Sequence, residues 1–227
     1  MPYEIQVKTI LDKKTYLQLL DMLPSKLGQP TRGMIHQTRY RSGPWQPGDV
    51  RLRRLFAEID TDQSIGQVII KEDKPGESVA ASERKERHAI VRLDELAEIR
   101  TDLDQQGIYR DPTWKKVKHD FTAQADGSTY RISIQYCSGV IVEQGYVAEG
   151  TIKLDAPDTG GAHKKNLISI FSSIGLSETP AKEFLAMVVG FVTDNSRYAT
   201  GTARPYEDFE KHVKATFSKY SELRNLV

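Results

Sequence analysis

The chain has 227 residues with 32 basic and 31 acidic side chains, a net charge of +1. With 38% hydrophobic and 28% charged residues, the composition excludes a disordered chain, and the near-neutral charge excludes the all-round basic surface of a non-specific nucleic-acid binder. A single cysteine, Cys137, excludes an internal disulfide and a cysteine-rich zinc cluster.

The length fits one large domain or one domain with an appendage. Residues 3–9, "YEIQVKT", read as a strand with Glu4, Gln6 and Lys8 on one face and Ile5 and Val7 on the other. Residues 12–25 read as an amphipathic helix carrying Leu17, Leu19, Leu20 and Leu23 at mixed helical spacing. Strand-like segments follow at 34–42, 50–59, 67–73 and 82–91, separated by the turn signals "GPWQPGD", "DTDQSIG" and "KPGES". A helix over 93–107 ends at Gly107, a normal helix stop. Strands resume at 114–124, 129–137 and 146–155. After "APDTGGAH" the remainder reads as helices, the last from 206 to 227 with Phe209, Val213, Phe217, Tyr220 and Leu223 on one stripe. That stripe suits a docking face on the domain or a helix that binds a protein partner. About eight strands, one interrupting helix and a helical tail make an α+β chain whose antiparallel sheet is large enough to curl or close. The expected units are a domain over 1–195 and a helical extension over 196–227.

The polar faces of the strands carry the chemistry. Arg39 with Arg41, Arg51 with Arg53, Lys116 with Lys118 and Asp120, and Arg131 with Ser133 and Gln135 each share a face by the period-two rule. So do Arg84, Glu86 and His88, and Glu149, Thr151 and Lys153, while Lys71 ends an apolar strand. These can be the solvent faces of a sandwich. Yet the chain is near neutral overall, and basic residues are concentrated on these faces. If the sheet curls with its apolar faces outward under helices, the inside is cationic. Such a lumen repels itself unless it holds water and a highly charged anion. Polyphosphate fits, because Arg and Lys clamp its oxygens with charge-assisted hydrogen bonds. A few carboxylates among the cations suit a hard divalent metal, Mg²⁺ or Mn²⁺.

In order and spacing these strands resemble the triphosphate tunnel metalloenzymes, the CYTH superfamily. Glu4-x-Gln6-x-Lys8 stands where the family has Glu-x-Glu-x-Lys. "VRLRR" (Arg51, Arg53), "VIIKED" (Lys71), "RKERH" (Arg84, Glu86, His88) and "KKVKHDF" (Lys116, Lys118) follow in the family's order, and "TYRISIQ" also resembles the arginine strand of fungal and viral RNA triphosphatases. The resemblance covers residues 3 to about 190. It implies a closed antiparallel eight-stranded β-barrel with helices outside, and metal-dependent hydrolysis of a triphosphate: inorganic, nucleotide or the 5′ end of RNA. Class IV adenylyl cyclases share this tunnel and form cyclic AMP instead.

The implied metal ligands are Glu4, Gln6 and Glu149, holding Mg²⁺ or Mn²⁺. Glu4, Glu86 and Glu149 would be the catalytic acids. Lys8, Arg51, Arg53, Lys71, Arg84, Lys116, Lys118, Arg131 and Lys153 would bind the phosphates. Gln6, Gln135 and Thr151 stand where the family has acids. The other expectation consistent with that departure is a non-catalytic tunnel that binds polyphosphate or an RNA 5′-triphosphate, or serves in a larger assembly through a protein partner on residues 205–227. Trp45 reads as a loop anchor, and "DTGGAHKK" lacks P-loop spacing. The charged first twenty residues lack a signal-peptide core, and "FLAMVVGFV" is short of a membrane span. The expected location is intracellular, cytoplasmic or nuclear.

Overall fold

The structure, a computed structural model, describes residues 3–43, 48–56, 64–72, 85–139, 145–196 and 198–226. Strand β1 (Tyr3–Leu11) leads into helix α1 (Lys13–Leu27), then β2 (Thr31–Arg41), β3 (Asp49–Phe56), β4 (Ser64–Glu72) and β5 (Lys85–Val91). Helix α2 (Leu93–Gln105) and the two-residue β6 (Tyr109–Arg110) precede β7 (Trp114–Ala125), β8 (Ser128–Ser138) and β9 (Gly145–Leu154). Helices α3 (Ala162–Ser173), α4 (Ala181–Ser196) and α5 (Tyr206–Phe217) and a 3₁₀ turn over Ser221–Leu226 complete the chain. None of the described helices is long and apolar enough to cross a membrane.

All nine strands lie in one antiparallel sheet, in the order β1-β9-β8-β7-β2-β3-β4-β5, with β6 paired to the end of β2. The eight-strand expectation omits β6, which is too short for alternation to reveal. Among the described residues no ladder joins β5 to β1, so the hydrogen-bonded path is open rather than a closed ring. The sheet nevertheless curves round on itself. The charges of Lys153 on β9 and Glu4 on β1 act on His88 of β5, at the opposite edge.

The curvature answers which way β1 faces. Ile5 and Val7 are buried in a core that includes Leu19 and Leu23 of α1 and Leu167 and Phe171 of α3. The apolar faces therefore point outward under helices, and Glu4, Gln6 and Lys8 point inward. Helix α1 starts at Asp12, whose carboxylate accepts from the Thr15 amide at 2.6 Å. Helix α3 presses so closely on β9 that a Cβ at Gly150 would lie 2.7 Å from Phe171 and 2.9 Å from Leu167. The predicted stop of α2 is observed, with Gly107 at φ 64°.

A second core covers the outer face of β2–β5. Tyr40, Val50, Leu52, Val68 and Val91 of the sheet pack with Ile99 and Leu103 of α2 and with Phe209, Val213, Phe217, Leu223 and Leu226. The apolar stripe of the C-terminal helix is thus docked on the sheet. The single helix expected over 206–227 breaks after Phe217, and its last turn is 3₁₀.

Candidate functional site

The two cores fix the side-chain parity of every strand, and with it the residues that face inward. Val50 and Leu52 belong to the outer core, so Asp49, Arg51 and Arg53 face in. Val68 is outward, which turns Ile69 and Lys71 inward. Phe121 and Ala123 are outward on β7, and Tyr130, Ile132 and Ile134 on β8. Lys116, Lys118 and Asp120 therefore face in, with Arg131, Ser133 and Gln135. On β9 the same rule selects Glu149, Thr151 and Lys153. The strand pairing places Lys8 opposite Glu149, Gln6 opposite Thr151 and Lys118 opposite Gln135. Lys8, Arg51, Arg53, Lys71, Lys116, Lys118, Arg131 and Lys153 thus share one concave face with Glu4, Gln6 and Glu149. Arg84 lies outside the described residues, as does the Trp45 loop. The backbone of Glu86 lies opposite Lys71, but its side chain is not among those described.

At the deep end, around the start of β3, the cations are organised by two carboxylates. Arg51 donates to Asp49 through Nε at 2.6 Å and Nη2 at 2.9 Å. Arg39 reaches the same carboxylate at 3.5 Å and Asp111 at 3.8 Å, and Arg41 pairs with Asp111 at 2.8 Å. Arg53 donates to the Gln37 side chain at 2.7 Å. Trp114 lies under both Arg39 and Lys116, its ring 5.7 and 5.8 Å away. Arg41, Asp49 and Arg51 are all less than a tenth exposed.

Toward the middle of the face the pairs are looser. Lys8 stands 3.9 Å from Glu149, Arg131 3.9 Å from Glu4, and Lys118 3.4 Å from Asp120. Arg131 and Lys153 are exposed, so the face opens to solvent at that end.

The electrostatics report the same crowding. Burial and the neighbouring Arg51 pull Lys71 down to about 6, against a smaller upward pull from Asp49. Burial and Arg51 also draw Arg53 down to about 10. For the carboxylates the balance runs the other way. Burial alone would raise Glu149, but Lys8, Lys116, Lys118 and Arg131 hold it at about 2. Asp49 is likewise held far below the carboxylate range, because Arg51 and Arg39 outweigh its burial. Both acids are charged at neutral pH, and the face still carries more cations than carboxylates. Several buried polar atoms of this face, Gln37 Nε2, Ser133 Oγ, Gln135 Nε2 and Asp120 Oδ1, find no hydrogen-bond partner in the protein. A polar, cationic concavity with donors left over is suited to an oxygen-rich anion.

Glu4, Glu149 and the Gln6 amide offer hard oxygens on adjoining strands. Among the described residues no three His, Cys, Asp or Glu side chains form a metal cluster. Two carboxylates are too few for a dedicated metal cage, but they fit a Mg²⁺ or Mn²⁺ ion that completes its shell with phosphate oxygens and water.

The reading by residue pattern left Arg39, Arg41, Asp49 and Asp111 out of the phosphate set. Asp49 was reachable from the sequence, because Asp49, Arg51 and Arg53 follow the same period of two. Asp111 sits beyond β6 with no periodic signal, and only the fold brings it to Arg39 and Arg41.

No family model and no curated protein matches the chain. Solved structures do. The protein PH1819 from Pyrococcus horikoshii OT3 is 15% identical, covers 83% of this chain and 99% of its own, and superposes with a TM-score of 0.56. PH1012 of the same organism is 17% identical over 77% of this chain and 92% of its own, at 0.52. HpAC1 from Hippeastrum, which has a dominant triphosphatase activity, is 14% identical over 84% of this chain and 96% of its own, at 0.52. At these identities the likeness is one of fold.

Proposed function

We propose that this chain, which has the fold of the triphosphate tunnel (CYTH-like) proteins, binds a triphosphate on its concave cationic face and hydrolyses it with a divalent metal. One observation carries the reading: a chain of net charge +1 gathers Lys8, Arg39, Arg41, Arg51, Arg53, Lys71, Lys116, Lys118, Arg131 and Lys153 on one half-buried surface, crowded enough to hold Lys71 near 6. A polyanion relieves that repulsion. Its oxygens take the donors that Asp49 and Asp111 leave over on Arg39, Arg41 and Arg51 and that Gln37 leaves over on Arg53, and its charge draws a proton onto Lys71.

Hydrolysis adds water at a terminal phosphorus and breaks the P–O bond of the anhydride, releasing orthophosphate and a proton to solvent. Lys8, Lys116, Lys118 and Arg131 would neutralise the charge spreading over the phosphoryl oxygens. Glu4 and Glu149, with the Gln6 oxygen, would hold Mg²⁺ or Mn²⁺, which supplies Lewis-acid polarisation of the phosphoryl group when bound. Glu149, held near 2 by its cations, is far too weak a base to take the water's proton and suits a ligand role. Glu86 is the candidate to orient the water. The triphosphatase activity of HpAC1, a protein of the same fold, supports the reaction type.

A second reading has its own observation. Gln6, Gln135 and Thr151 are neutral where the resembled family has acids, and Gln135 and Thr151 are buried. That favours binding over turnover. The two separate in one experiment: phosphate release from inorganic triphosphate, ATP, GTP and a 5′-triphosphate RNA with Mg²⁺ and with Mn²⁺, beside thermal shift by the same ligands. Metal-dependent release establishes the hydrolase. Stabilisation without release establishes a binding tunnel, and the absence of both release and stabilisation rejects both readings.

A further inference from the structure

The two outer cores leave a seam between them on the convex side of the sheet. Strand parity turns Tyr136, Val117, Met34 and Phe56 outward, and they are direct neighbours across β8, β7, β2 and β3. All four are half-buried, and Val117, Met34 and Phe56 belong to neither core. One step along the strands runs a second outward row, Lys115, His36 and Arg54, again in direct register. Lys115 and Arg54 are exposed. The Arg54 guanidinium lies 4.7 Å over the Phe56 ring and its Nε donates to Ser64 Oγ at 2.9 Å, while the His36 ring sits 5.2 Å from the same phenyl. Among the described residues, no carboxylate forms an ion pair with Lys115 or Arg54. Burial, and then the charges of Lys115 and Arg54, lower the His36 imidazole below its usual value. A cationic row thus runs beside an apolar row, on the side of the sheet away from the concave face.

Sign and spacing select the ligand. Lys115 and Arg54 stand two strands apart, roughly 10 Å, farther than one small anion bridges. The partner is therefore a polyanion, and it must carry a charged edge and an apolar edge side by side. Single-stranded nucleic acid does, with its phosphates along one edge and its flat bases along the other. An extended acidic peptide shows its charged and apolar side chains on opposite faces, so it meets only one of the two rows. A duplex keeps its bases stacked inside and offers a flat sheet only phosphates. We propose that this seam binds single-stranded nucleic acid, its phosphates on Lys115 and Arg54 and its bases on Phe56, Met34, Val117 and Tyr136. Arg32, exposed beyond Met34 on the same strand, adds to the positive field. The sheet separates this surface from the concave face, so the inference stands whether or not that face binds a triphosphate.

The test is fluorescence anisotropy without divalent metal, using a short 5′-hydroxyl oligouridylate, which has no triphosphate for the concave face. The wild-type chain is expected to bind it, and saturating inorganic triphosphate to leave it bound. Arg54→Ser with Lys115→Ser is expected to weaken binding about tenfold near ~50 mM salt and to make the plot of log affinity against log salt shallower by about 1.4, two single-strand phosphate contacts at about 0.7 each. Both side chains are exposed, so the double variant should melt like the wild type. An abasic strand of the same length, with the phosphates but no bases, should bind the wild type several-fold more weakly. That comparison uses the wild type alone and holds whatever the variant's stability. No oligouridylate binding by the wild type overturns the inference, as does an unchanged affinity in the double variant. Equal binding of the abasic strand or of a duplex overturns the role of the apolar row. Displacement by inorganic triphosphate also overturns it, by placing the strand on the concave face. Tighter binding of an oligoglutamate of equal charge overturns it in favour of an acidic protein segment.

Discussion

Arg51 grips Asp49 with two parallel hydrogen bonds, at 2.6 and 2.9 Å, between side chains two residues apart on the inward face of β3. The same carboxylate also faces Arg39 at 3.5 Å. Asp49 is therefore the counter-ion around which the deep cations assemble. Asp49→Asn is expected to destabilise the unliganded protein by about 3–5 kcal/mol, the cost of leaving buried charge without its partner. Triphosphate should restore part of that loss by replacing the missing negative charge. Thermal melts of the variant with and without inorganic triphosphate check this, and a variant that melts like the wild type in both contradicts it.

Lys71 gives the protein a distinctive pH dependence. Its folded value, about 6, lies below the roughly 10.4 of an unfolded lysine. Between those values the unfolded chain binds more protons, so this group's contribution makes stability rise with pH from 6 to 10. Triphosphate favours the charged amine, so binding near pH 7–9 takes up a proton. Lys71→Met should raise the melting temperature of the free protein at pH 7, weaken triphosphate and reduce the proton uptake measured by calorimetry in buffers of different ionisation enthalpy.

Glu149 acts in the opposite direction. Its folded value near 2 lies below the roughly 4.3 of an unfolded glutamate. Its stabilising contribution is present above pH 4.3 and is lost as pH falls toward 2. Glu149→Gln should flatten the acid limb of the stability curve in that window. It should also lower metal-dependent turnover while leaving triphosphate binding without metal in place.

The C-terminal helix is a structural element of the domain. Phe217 is fully buried with Ile99 and Leu103. Phe217→Ala is expected to cost about 3–5 kcal/mol. Because Phe217 lies on the outer face of the sheet, triphosphate affinity should be unchanged in the protein that remains folded at low temperature. A loss of affinity without a loss of stability would place α5 in the site.

Much of this was legible in the residues, for a physical reason. Strand alternation has a period of two, so Arg51 with Arg53, Lys116 with Lys118 and Glu4 with Lys8 declare a common face in the sequence. Which side that face takes is a tertiary fact. It needed α1 and α3 packed on Ile5, Val7 and Gly150, and the sequence alone left a solvated sandwich open. Asp111 was invisible because it meets Arg41 only through the pairing of β6 with β2. The break after Phe217 was missed because the apolar stripe runs on through Tyr220 and Leu223 in the following turn.

The most direct measurement is phosphate release from inorganic triphosphate and ATP with Mg²⁺ or Mn²⁺, in the wild type and in Glu4→Ala, beside thermal shift by the same ligands. The account predicts metal-dependent release in the wild type and a loss of about a hundredfold or more in Glu4→Ala. It also predicts that both proteins are stabilised by triphosphate, since the cations remain. Absence of both release and stabilisation in the folded wild type would contradict it, because the concave cationic face would then hold no triphosphate.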